Sequence, residues 1–102
     1  MTFVFDIDDT ILYSDYIDGG YIPKGCNEKL CRVIDALKKE GHHIILYTGR
    51  HWDKLSLTME QIKGLNIDYD SLVMGKPVAD LYIDDRAIRP DEFLNLFKNY
   101  IS

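Results

Sequence analysis

The chain reads as an α/β fold built on a parallel sheet, and three features of its 102 residues point there. Short runs rich in Ile, Val, Leu and Tyr alternate with segments of helical period, the pattern of βαβ units. Hydrophobic residues make up 46% of the sequence, which supplies one core and predicts a single domain over residues 1–102. Acids, hydroxyls and an ammonium collect just after the apolar runs, where an open parallel sheet gathers its functional groups.

The first strand is predicted at residues 2–7, so continuously apolar that both of its faces are expected to be covered. A polar, glycine-bearing loop follows at 11–25, with Gly19 and Gly20 free to let it close as a small flap. The segment NEKLCRVIDALKKEG places Leu30, Val33, Ile34 and Leu37 on one helical stripe, with Asn27 as N-cap and Gly41 as the stop. HHIILYT at 42–48 is the second strand, and a helix runs from about Asp53 to Lys63. SLVMG at 71–75 and DLYID at 80–84 read as two further strands. The closing helix follows Pro90 and carries Phe93, Leu94, Phe97 and Ile101 on one face.

Charge and cysteine content exclude several classes. A net charge of −5, spread as scattered acids, gives no basic stripe for nucleic acid and no attraction to an anionic membrane. No apolar run is long enough to span a bilayer, and the N-terminus lacks the pattern of a secretory leader. Cys26 and Cys31, five apart on what reads as a helix, would point to different faces, so reduced thiols and a cytoplasmic location are expected.

Four predicted strand ends carry DIDDT at 6–10, TGR at 48–50, GKP at 75–77 and DDR at 84–86. Crowded carboxylates repel one another unless a cation sits among them, and oxygen donors without a Cys or His cluster suit Mg²⁺ better than zinc. Taken singly, each has an ordinary reading: aspartates after a strand form turns and caps, TGR ends a strand, and a lone lysine is a solvated charge. The ordered set of four carries the functional reading.

That set resembles the haloacid dehalogenase (HAD) superfamily, whose DxDxT signature is matched by DIDDT and whose remaining motifs fall in order at Thr48, Lys76 and Asp84-Asp85. The resemblance implies a three-layer α/β/α Rossmann-like fold with a central parallel sheet and no cap domain, since the intervals 11–25 and 50–75 are too short for one. It further implies that Asp6 is a nucleophile forming an aspartyl-phosphate. Asp8 is then the general acid and base, Thr48 and the Gly49 amide hold phosphoryl oxygens, and Lys76 neutralises charge on nucleophile and phosphate. Asp84, assisted by Asp85, is expected to bind Mg²⁺ with the Asp6 carboxylate and the Asp8 main-chain carbonyl. Asp9 is left to turn formation, and Thr10 to bracing the loop through backbone hydrogen bonds. The phrases GKPVADLYIDDRAI and LYTGR are similar to those of small capsular-polysaccharide biosynthesis phosphatases, which implies a bulky or sugar-linked phosphomonoester as substrate.

Residues beside the motifs are two-sided. Arg50, His51 and Arg86 can hold a second substrate anion or pair with surplus carboxylates. Tyr13, Tyr16 and Tyr21 can stack on a sugar or base or pack the loop onto the body. An open site can also be closed by a neighbouring subunit, which makes a homo-oligomer one option. Alternative functions are a nucleotide or polynucleotide-end phosphatase and a receiver-like phosphoacceptor module. The latter places its phosphorylated Asp after a middle strand, where this chain has LYTGR.

Overall fold

The computed structural model describes residues 1–101. Its central sheet is parallel, with β1 (Thr2–Asp6), β4 (His43–Tyr47) and β5 (Ser71–Val73) in the order β1-β4-β5. Between β1 and β4 the chain forms β2 (Leu12–Ile17), β3 (Gly20–Cys26) and helix α1 (Glu28–Lys39). A short 3₁₀ turn, Trp52–Lys54, leads into α2 (Leu55–Lys63), and α3 (Pro90–Leu96) is followed by a second turn, Lys98–Tyr100. This is the Rossmann-like α/β arrangement that the sequence predicts, with no domain inserted between its strands.

Register explains where the core lies. Phe3 pairs with Ile44 and Phe5 with Leu46, so these four share one face of the sheet. That face meets α1, whose Leu30, Val33, Ile34 and Leu37 are buried, and α3, whose Phe93 packs edge-on against Phe5 at 5.3 Å. Asn27 caps α1 by accepting a hydrogen bond from the Leu30 N–H at 3.1 Å. Val4, on the other face of β1, is 57% exposed. The expectation that β1 is covered on both faces therefore fails there, because apolar content by itself cannot say how many layers reach an edge strand.

Three further expectations change. The 11–25 loop is an antiparallel hairpin, β2–β3, with Ile17 opposite Gly20 across a two-residue turn at Asp18-Gly19. Both turn residues have positive φ, 51° and 77°, as the hairpin turn with left-handed central residues requires. DLYID forms no strand, and residues 77–89 are exposed throughout. β1 consequently stands at the sheet edge. Here the local contacts of the 76–82 segment prevail: the Tyr82 hydroxyl donates to the Pro77 carbonyl, and its ring lies 4.3 Å from the Lys76 ammonium. Finally, Cys26 ends β3 while Cys31 lies in α1, so they do not share a helix. Both are free, and burial, with the neighbouring Cys26 adding to it, pushes the Cys31 thiol up to about 11. No helix among the described residues is long and apolar enough to cross a membrane.

Candidate active site

The carboxylates after β1 owe their placement to a tight turn. The Ile7 carbonyl accepts the N–H groups of Thr10, Ile11 and Leu12, and Asp9 takes a left-handed conformation at φ 60°, which Asp tolerates better than most residues. Asp9 thus makes the turn and points to solvent, while Asp6 and Asp8 both face a cleft of about 250 Å³. The other walls are Tyr21 from the hairpin, Gly49 and Arg50 after β4, and Lys76, Val78 and Tyr82 after β5. The volume lies below the usual range for a whole ligand, so it accommodates a phosphoryl group with the remainder of a substrate outside.

Lys76 stands 3.7 Å from Asp6 Oδ1. The turn that delivers it needs Gly75, whose φ is 80° and whose N–H donates to the Arg50 carbonyl. Burial raises the Asp6 carboxyl above the ordinary carboxylate value, against the pull of Lys76 and the Ile7 N–H, and nearby Asp8 adds to the rise. Thr10 directs its hydroxyl at Asp6 Oδ2, at 3.4 Å, rather than at the backbone as expected. Gly49 sits where a Cβ would come within 3.3 Å of the Lys76 carbonyl, a tight contact, so glycine eases the close approach of the two loops.

Thr48 is fully buried. Its hydroxyl donates its single proton to Asp8 Oδ2 at 3.1 Å and accepts the Arg50 N–H. In this arrangement Thr48 holds Asp8 rather than offering its proton to the cleft. Arg50 is only 1% exposed and pairs with Asp8, with Nη2 at 2.8 Å from Oδ1. Of the two readings open for Arg50, the ion pair is the one that the structure displays.

Asp84 and Asp85 do not join the group. Asp84 accepts the Arg86 N–H at 2.9 Å in an exposed turn, and Asp85 lies 3.9 Å from the Arg86 guanidinium in solvent. Among the described residues no three His, Cys, Asp or Glu side chains gather to hold a metal. The expected Mg²⁺ ligand set therefore does not fit this conformation as a whole; Asp6 and Asp8 are the residues of it that line the cleft.

The sequence profile of the haloacid dehalogenase-like hydrolases matches residues 3–99. The chain belongs to that family. Its fold is also that of a crystal structure of a target protein from Vibrio cholerae, with a TM-score of 0.71 and 24% identity over 97% of this chain and 94% of that one. Comparison with curated proteins gives no match.

Several residues in or behind the cleft walls of this hydrolase escape a motif-based reading. Tyr82 was expected within a strand, yet it flanks Lys76. Thr58 and Gln61 on α2 both accept hydrogen bonds from Arg50. The signal for Thr58 is absent from the sequence, since a buried threonine on a helix looks like any other. The hairpin that carries Tyr21 is read from the sequence as a loop, although an Asp-Gly pair between two β-prone runs is the signal that marks such a turn.

Proposed function

We propose that this hydrolase is a phosphomonoester phosphatase working through an aspartyl-phosphate on Asp6. The observation that supports this most directly is the pairing of Asp6 with Lys76 across 3.7 Å at the mouth of a phosphate-sized cleft, with Asp8 two residues on. Asp6 attacks phosphorus as the bond to the leaving alcohol breaks, and Asp8 gives that alcohol its proton. Water then attacks the phosphoenzyme, Asp8 takes a proton from it, and inorganic phosphate departs as Asp6 is regenerated. The Gly49 amide and Lys76 meet the charge on the transferring oxygens, where preorganised donors contribute most.

Magnesium dependence is part of this reading and rests on the family. Asp6 and the Asp8 carbonyl are the donors at hand, with Asp84 and Asp85 as the acids that residues 77–89 would have to deliver.

For the leaving group, we favour a sugar-linked phosphate of surface polysaccharide synthesis. Tyr21 and Tyr82 border the cleft, one ring against Arg50 and the other against Lys76, and aromatic side chains at such a mouth suit a sugar ring. Tyr16 adds a further ring along the hairpin, 5.4 Å from Tyr21 in an edge-on pair.

The test is phosphate release from sugar phosphates, nucleotides and an aryl phosphate, with Mg²⁺ or EDTA, by wild type and Asp6→Asn. Metal-dependent turnover lost in Asp6→Asn is expected, with sugar phosphates leading the panel. Preference for nucleotides would replace the substrate assignment, and a phosphorylated Asp6 that persists for hours would replace the phosphatase with a signalling module.

A further inference from the structure

Arg50 has more directional contacts than any other side chain at the cleft. Nε lies 3.3 Å from Asp8 Oδ1 and 3.1 Å from Oδ2, and Nη2 lies 2.8 Å from Oδ1. Nη1 donates to Thr58 Oγ1 at 3.2 Å and to Gln61 Oε1 at 2.8 Å. Each outer partner is itself anchored. Thr58 donates to the Lys54 carbonyl, and Gln61 Nε2 donates to the Tyr21 carbonyl at 3.0 Å. The Tyr21 ring covers the guanidinium at 3.9 Å. The result is a planar cation clamped by α2 on one side and the hairpin on its face, with its fork turned to one carboxylate.

Asp8 is correspondingly held. A carboxylate has about four lone-pair positions, and here Oδ1 meets Nε and Nη2 while Oδ2 meets Nε and the Thr48 hydroxyl. The Nε proton is shared between the two oxygens, so three donor protons hold the group, and 29% of its side-chain surface stays exposed at the cleft to a leaving-group oxygen or a water. The weakest is the shared Nε contact, which is long to both oxygens. Its release would free a further position on Asp8 while the 2.8 Å Nη2 contact keeps the carboxyl in place.

We propose that Arg50 is a positioning residue for the proton steps: it fixes Asp8 where both transfers occur and does not bind the substrate's phosphate. This rests on the phosphatase reading above and adds to it the residue that acts through Asp8. The competing role, a second anion site, requires an accessible guanidinium, and this one is 1% exposed with four of its five N–H donors engaged.

The experiment separates the two half-reactions. With an aryl phosphate, whose leaving group needs no proton, phosphorylation of Asp6 is followed as a burst of phenolate, and discharge as decay of acid-trapped phosphoenzyme. Arg50→Gln is expected to keep the burst rate within a few-fold and to slow discharge by about 10²-fold, the low end of what a general base contributes. For an alkyl phosphate, kcat should fall by a similar factor with KM nearly constant. In an Asp8→Asn background, Arg50→Gln should change discharge by less than about twofold, because residues acting as one unit are not additive.

Should Arg50→Gln fail to fold, Gln61→Met and Thr58→Val loosen the clamp while keeping its charge. Discharge several-fold slower at unchanged KM then supports the proposal, and discharge at the wild-type rate overturns it. A rise in KM for every substrate at unchanged discharge also overturns it, and makes Arg50 an anion binder. These results differ from failure of the underlying reading, in which wild type itself gives neither phosphoenzyme nor turnover.

Discussion

At the scale of single residues, the acids of DIDDT separate by environment although the sequence writes them alike. Asp9 makes a left-handed turn, Asp8 fills the fork of Arg50, and Asp6 faces Lys76. Lys76→Ala is expected to lower kcat/KM by about 10²–10³-fold, the loss typical for one preorganised charge partner. Asp6 also makes a prediction about stability. Its carboxyl is raised chiefly by burial, so the folded state binds a proton that the unfolded state has already released. In EDTA, wild type should therefore lose stability relative to Asp6→Asn as pH climbs from the ordinary carboxylate range through the raised value, and the gap should be constant above it. Thermal melts of both proteins across that range provide the check, and a gap that narrows with rising pH would contradict the burial argument.

At the scale of elements, α1 depends on its apolar stripe and its cap. Leu37 has no solvent exposure at all, so Leu37→Ala should cost about 2–5 kcal/mol in denaturant unfolding, and Asn27→Ala about 1 kcal/mol through the lost cap. The other end of α1 is pinned to the sheet by Asp70. Its carboxylate accepts from Lys38 Nζ at 2.6 Å and from the Ile44 N–H at 2.7 Å, and these hydrogen bonds, the Lys38 one foremost, hold it below the usual carboxylate range. Asp70→Asn should accordingly lower the melting temperature at neutral pH. That difference should fade as pH falls through the ordinary carboxylate range and below it, where the wild-type group is protonated too.

At the scale of the whole molecule, the sheet aims three loops at one cleft while the segment after Lys76 stays apart from it. Val78, Leu81 and Ile83 are exposed, Asp84 closes its own turn, and among the described residues no strand pairs with the outer edge of β1. Mg²⁺ titration of wild type and Asp84→Asn bears on this arrangement. If Asp84 enters the cation site on binding, the variant needs at least about tenfold more Mg²⁺ for half-maximal turnover, since even residues that only orient a metal ligand contribute about 10–100-fold in affinity. Equal Mg²⁺ requirements would leave Asp84 a turn residue.

The order of β1, α1, β4, α2 and β5, the capped stripe of α1, and the convergence of Asp6, Asp8, Thr48, Gly49 and Lys76 were all readable from the chain. They follow from local rules: periodicity buries a face, and a parallel sheet collects the residues at its strand ends. Family membership was legible too, because the motifs hold their order along the chain. What tertiary structure decided are partnerships. DLYID has a strand's composition, yet a strand forms only where a neighbour accepts its hydrogen bonds, and here Tyr82 turned instead to Lys76 and Pro77. Arg50 had two open roles until folding brought Thr58, Gln61 and Tyr21 around it and Asp8 before it. Which carboxylate a buried cation must neutralise depends on contacts more than 40 residues apart in the chain, and no local pattern encodes them.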